Sequence, residues 1–442
     1  MRTKDQIRKE ISELVDEFAS VQYATAEFTP GVTPIPASGK VIGRNELFNM
    51  VDAALDGWLT AGRFNKAFES QLSGYLGVKH LITVNSGSSA NLVAFNTLTS
   101  SKLGDRAIQK GDEVITVAAG FPTTVNPIIQ FGAIPVFVDV ELATYNVDVS
   151  QLEGAIGPKT KAIVLAHALG NPFNLDVVTA LCKKYSLWLI EDCCDALGST
   201  YTNRLVGTFG DIGTLSFYPA HHITMGEGGA VFTNSGKLKL IAESFRDWGR
   251  DCYCPPGEDN TCNNRFCWTS KQLGGSLPAG YDHKYIYSHA GYNLKITDMQ
   301  AACGLAQLEN LPRFSLIRTR NFERLYQHLK EFQDLFILPE ATEKSNPSWF
   351  GFPITIRNYS DINRLDLLLY LNEKKIGTRL LFGGNLMRQP YFDGIECRTF
   401  GSFRGTEKIA RDTFWIGLFQ GLSFAQIDFV CEVLREYVRT RI

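Results

Sequence analysis

No sign of charge dominates this chain. Among 442 residues, 44 lysines and arginines meet 46 aspartates and glutamates, a formal net charge of −2. A nucleic-acid surface needs a clustered basic excess, so nucleic acid is not an expected partner. Long apolar runs are also missing. The first segment, MRTKDQIRKEISELVDEF, is charged throughout and has no apolar core of the signal-peptide kind. No membrane partner is expected, and the expected location is the cytoplasm. Repeats and low-complexity tracts are absent. No Gly-x-Gly-x-x-Gly fingerprint follows a strand-like run, so this chain is not expected to bind a nicotinamide dinucleotide itself. Ten cysteines without a secretory signal do not suggest a disulfide framework. Cys182, Cys303 and Cys431 sit in apolar helical patterns and read as buried thiols.

The remaining composition, 44% hydrophobic and 20% charged, is that of an ordinary globular protein. Its length exceeds the usual single-domain range. Ile7, Ile11, Leu14, Val15 and Phe18 recur at helical spacing, and residues 26–40 read as a linker or extended arm. Short apolar runs follow at Val114–Ala118, Pro135–Val140, Ala162–Ala166 and Leu187–Ile190. Such runs suit strands buried on both faces of a parallel sheet. With a helical stretch at Asn174–Tyr185 and further strands at Gly213–Phe217 and Gly229–Thr233, they predict an α/β sandwich. After about residue 305 the rhythm changes to helix, strand, helix, helix. The expected organisation is an N-terminal helix and arm (1–40), a large α/β domain (41–305) and a smaller C-terminal α+β domain (306–442).

Three segments carry chemistry. Asn85-Ser86-Gly87-Ser88-Ser89-Ala90-Asn91 follows a strand-like run and opens a helix, which presents backbone N–H groups to a phosphate or serves as an ordinary serine cap. Glu191 and Asp192 end a buried strand, where acids are costly unless paired or functional. The third segment is Ser216-Phe217-Tyr218-Pro219-Ala220-His221-His222-Ile223-Thr224-Met225-Gly226-Glu227-Gly228-Gly229. It closely resembles the lysine loop of fold-type I (aspartate aminotransferase-like) pyridoxal-phosphate enzymes. More narrowly, it resembles the DegT/DnrJ/EryC group that acts on nucleotide-linked keto sugars.

Other landmarks follow that group's order, over roughly residues 40 to 440. Gly57-Trp58-Leu59 with Gly62 resembles an N-terminal substrate loop. The resemblance makes Gly87, Ser88, Ser89 and Ser216 phosphate contacts. It makes Phe121 the ring that stacks on the cofactor and Asp192 the partner of the pyridine nitrogen. Gly291–Asp298 resembles a segment that reaches the neighbouring subunit's cofactor, with Asn293 as the phosphate contact, which implies a homodimer. Gly377-Thr378-Arg379 and Gln389-Pro390-Tyr391 match the smaller domain.

The departure is His221, where an aminotransferase keeps lysine. Imidazole forms no stable imine with an aldehyde, yet it moves protons near neutral pH. Histidine here resembles the deoxysugar 3-dehydratases, which implies pyridoxamine 5'-phosphate (PMP) held without a covalent link and His221 as the catalytic base. A degenerate, inactive paralogue is the bland alternative.

The cysteines divide that group. Cys194-x57-Cys252-x-Cys254-x7-Cys262 is not a ferredoxin spacing. It resembles the dehydratases that act on a CDP-linked 4-keto-6-deoxy sugar and carry a [2Fe–2S] cluster on four such cysteines. In them a separate NADH-dependent iron–sulfur flavin reductase supplies the electrons. The cysteine-rich stretch of about 251–280 would be the cluster loop. Zinc, unligated thiols and Cys193 in place of Cys194 remain alternatives. So do a cluster-free dehydratase, an aminotransferase and a non-catalytic sensor.

Overall fold

The computed structural model describes residues 1–23, 27–252, 254, 257–261, 263, 265, 277–278, 280–357 and 362–441. Its strands are β1 His80–Val84, β2 Glu113–Val117, β3 Ile134–Val138, β4 Thr160–Ala166, β5 Trp188–Asp192, β6 Ile212–Ser216, β7 Gly229–Thr233, β8 Phe336–Ile337, β9 Phe352–Ile356, β10 Thr378–Leu380, β11 Arg398–Thr399 and β12 Thr413–Ile416. Three two-residue strands outside the two main sheets are left unlabelled. The helices are α1 Lys4–Gln22, α2 Arg44–Asp56, α3 Arg63–Leu76, α4 Gly87–Leu98, α5 Pro122–Phe131, α6 Val149–Ala155, α7 Leu175–Tyr185, α8 Gly236–Arg246, α9 Asp298–Leu329, α10 Arg364–Glu373, α11 Arg404–Asp412 and α12 Phe424–Arg439.

The large sheet has the order β1-β7-β6-β5-β4-β2-β3-β11. All its pairs are parallel except those of β7, which runs antiparallel to both β1 and β6. Successive residues of the central strands point into different cores. Ile115, Ile163 and Leu189 join the cluster packed by α3 and α9, whereas Val114, Val164 and Ile190 join the one packed by α4. That is why these strands are apolar without alternation. The small sheet, order β8-β9-β12-β10, is antiparallel, and α12 packs on it with its own core.

Helix α9 joins the two cores. Thr297 and Gln300 form a reciprocal capping box at its start. Ala301, Leu308, Leu311 and Phe314 belong to the large core, and Leu325 and Leu329 to the small one. The sequence division expected at 305 falls inside this unbroken helix, because its buried face passes from one core to the other.

Two more segments cross the expected divisions. β11 pairs with β3 at the edge of the large sheet, where Arg398 binds the Glu113 carboxylate at 2.8 Å. The arm packs on the small sheet's side, with Ile35 exchanging backbone bonds with Lys375 and Gly377. Neither segment carries a periodic pattern long enough to read. Helix α1 forms as its spacing predicts, but Leu14 and Phe18 of its apolar stripe are exposed. Among the described residues, no helix is long and apolar enough to cross a membrane.

Candidate active site

The carboxyl ends of β5 and β6 meet the first turn of α4, the position at which open α/β sheets bind ligands. Ser86 caps α4 by accepting from the Ser89 N–H at 3.0 Å. In a helix's first turn the N–H groups have no partner within the helix. Gly87 is required at the next position. A Cβ there would lie 2.4 Å from the Ser216 Cβ and 3.0 Å from the Cys194 Sγ. The Ser88 hydroxyl is exposed beside Thr123, while the Ser89 hydroxyl donates to the Asn85 side chain. Gly87 lies against Ser216 and Ser88 opens the same positive helix end, an arrangement that fits a phosphate, whereas both donors of Ser89 are taken by Ser86 and Asn85.

Asp192 forms the floor. Its Oδ2 accepts from Asn91 Nδ2 and Thr124 Oγ1, both at 2.7 Å, and its Oδ1 accepts from the Cys194 N–H at 3.1 Å. Thr214 in turn holds Asn91. A carboxylate offers about four acceptor positions, so one remains for a protonated ring nitrogen. Phe121, the residue before α5, is 51% exposed although the three residues before it are buried, a surface suited to a stacked ring. These residues fit the phosphate and pyridine ends of a vitamin-B6 cofactor.

Glu191 does something else. It takes backbone N–H bonds from Gly207, Phe209 and Gly210 and faces the His167 ring. His167 accepts from Phe173 N–H at Nδ1. The donor atoms of His167, Glu191 and Cys193 lie within 4.8 Å of one another. Protein donors already occupy the carboxylate, so the group reads as a structural knot behind the strand.

His221 lies on the loop after β6. Its Nδ1 is 3.3 Å from Asp195 Oδ1, within ion-pair distance but outside hydrogen-bond geometry. Phe350 walls the ring at 5.3 Å between centroids. His222 points inward. It is buried, its Nε2 donates to the Ser348 carbonyl at 2.8 Å, and burial pushes its pKa well below the ordinary imidazole value.

The residues 41–435 match the DegT/DnrJ/EryC1/StrS aminotransferase family. The chain belongs to that family. It is 61% identical over 98% of its length to the lipopolysaccharide biosynthesis protein RfbH of Salmonella typhimurium, covering 99% of it. It is 50% identical over 93% to the dTDP-4-dehydro-2,6-dideoxy-D-glucose 3-dehydratase of Saccharopolyspora spinosa, covering 88%. Among solved structures, the E. coli GDP-4-keto-6-deoxy-D-mannose-3-dehydratase with bound hydrated PLP superposes with a TM-score of 0.80 at 29% identity, over 90% of this chain and 99% of that one. The fold is thus fold-type I.

The cysteine positions separate. Cys193 is buried behind the strand, beside Gly207 and the Glu191 carbonyl, whereas Cys194 turns its sulfur toward Gly87. Burial and the Asp192 carboxylate push the Cys194 thiol up. Cys252 and Cys254 are half-buried. Cys262 and most of the 251–280 stretch lie outside the described residues. Asn293 is exposed and accepts from Lys295 Nζ at 2.9 Å, one residue from Leu294, whose carbonyl takes the Asn85 N–H. Asn91, Thr124, Asp195, Phe350 and Arg318 carry no signal of their role in the sequence. Asn91 lies within the serine-rich segment that opens α4, but its bond to Asp192 spans 101 residues and has no local signal.

Proposed function

We propose that this chain is a PMP-dependent 3-dehydratase. It removes the C3 hydroxyl of CDP-4-dehydro-6-deoxy-D-glucose and serves deoxysugar and lipopolysaccharide biosynthesis. The carrying observation is His221 beside Asp195 on the loop after β6, whose sequence resembles the family's lysine loop, in a fold that also brings Asp192, Ser216 and the start of α4 together. Similarity to 3-dehydratases of dTDP- and GDP-linked sugars supports the reaction class. The choice of CDP rests on the cysteine spacing.

When bound, pyridoxamine phosphate supplies an amine for the sugar's ketone and a ring that accepts electrons. Ser88, Ser216 and the Gly87 N–H hold its phosphate. Phe121 covers its face, and Asp192 keeps its ring nitrogen protonated. Asp195 beside Nδ1 favours the proton on that nitrogen, which leaves His221 Nε2 as the base. The same imidazole, once protonated, assists departure of the C3 hydroxyl. His222 holds the loop by its bond to Ser348.

Cys194, Cys252, Cys254 and Cys262 would ligate a [2Fe–2S] cluster, a one-electron carrier. Cys194 stands two residues from Asp192, and electrons would come from a separate NADH-dependent iron–sulfur flavin reductase. Asn293 would complete the partner's phosphate site in a homodimer.

The test combines two measurements on anaerobically purified protein. His221→Asn should lower dehydration by about 10²- to 10⁴-fold with PMP affinity within threefold. Iron and sulfide should be present and be lost in Cys252→Ser. A borohydride-trapped lysine would end the dehydratase reading. Absent iron and sulfide with dehydration intact would leave a cluster-free dehydratase.

A further inference from the structure

Arg318 is fully buried in α9, and among the described residues no carboxylate lies within ion-pair distance of it. Its donors go to neutral acceptors. Nε donates to Gln420 Oε1 at 2.9 Å, one terminal nitrogen to the Trp349 and Phe350 carbonyls at 3.3 and 3.1 Å, and the other to the His221 carbonyl at 3.4 Å. Gln420 passes the tie on, donating to the His222 carbonyl at 3.4 Å. The guanidinium also lies 5.8 Å from the Phe350 ring centroid, the ring that walls His221. Burial pushes its pKa down to about 9, and the charge opposing that effect is Asp195, the carboxylate beside His221.

Two restraints on one imidazole thus meet at one side chain: the backbone that carries it and the aromatic wall beside it. A buried cation without a bonded anion is costly, and neutral hydrogen bonds alone do not require one. We propose that Arg318 is the positioning residue of His221, fixing the catalytic loop against the Trp349–Phe350 segment that leads into β9. The inference rests on the reading of His221 as the base.

Arg318→Lys keeps the charge but loses the planar fork that spans four acceptors. The variant should fold and bind PMP within threefold of wild type. Its kcat should fall at least tenfold while KM stays within threefold. In 15N-histidine NMR of the apoprotein, the His221 ring signal, assigned by its loss in His221→Asn, should shift or broaden while those of His80 and His328 stay. Should Arg318→Lys not fold, Gln420→Leu, which removes the Nε acceptor, should give a smaller change of the same sign in both readouts. Wild-type kcat with an unmoved His221 signal overturns the proposal. So does a parallel decline of kcat, KM and thermal midpoint with that signal unmoved. A His221→Asn variant that still dehydrates would sink the reading of His221 instead, and the NMR signal would then judge Arg318 alone.

Discussion

Asp192 and His222 show how neighbours divide labour between residues of one type. Asp192 has three protein donors and one open position, whereas Glu191 beside it is consumed by loop N–H groups. Asp192→Asn should therefore lower turnover on the order of 10²-fold or more, because an amide cannot hold a ring nitrogen protonated, and should also lower the thermal midpoint, because its NH2 would face one of the donors that the carboxylate now accepts. Unchanged turnover would remove Asp192 from the site. His222 must stay neutral in the fold. Its folded pKa lies below the ordinary 6.5, so the unfolded chain takes the extra proton as pH falls. Stability is present in full above about 6.5 and is lost below it, by up to about 1.4 kcal/mol per pH unit. Between pH 7.5 and 5.5 the urea midpoint of wild type should fall further than that of His222→Gln. Equal declines would show that another group titrates.

Helix α4 is the element on which the phosphate cradle depends. Its cap, its first glycine and the end of β6 lie in contact, so a change in one is felt by the others. Gly87→Ala would set a methyl 2.4 Å from the Ser216 Cβ. The expected cost is about 1–3 kcal/mol of stability, with PMP binding weakened about tenfold because the cradle must open. Urea melts and fluorescence titration with PMP read the two effects. Full affinity in the variant would place the phosphate elsewhere. At this scale the strands of the large sheet other than β11 were legible from their unbroken apolar runs. The continuity of α9 was not, since its buried face changes partners midway along the helix.

For the whole molecule the prediction concerns two copies. If Asn293 serves the partner's site, a mixed dimer of His221→Asn and Asn293→Ala chains carries both defects in one site and leaves the other intact. Mixing the two inactive proteins should restore roughly a quarter of wild-type activity, the share of intact sites after random re-pairing. No restoration would mean that Asn293 acts within its own chain. Size-exclusion chromatography of the wild type should give the dimer mass at micromolar concentration.

The sequence by itself determined the strands of the large sheet other than β11, the serine cradle, Asp192 at a strand end and His221 in its loop. Each of these is written in adjacent residues, as apolar runs, caps or a motif whose spacing survives without the fold. Only the tertiary structure decided what lies beside them. Asn91 and Thr124 reach Asp192 across 101 and 68 residues, and Arg318 reaches His221 across 97. Cys194 rather than Cys193 faces the cradle because the turn after β5 sends the two sulfurs to different neighbours, and only the packing of α4 says which of them holds the site.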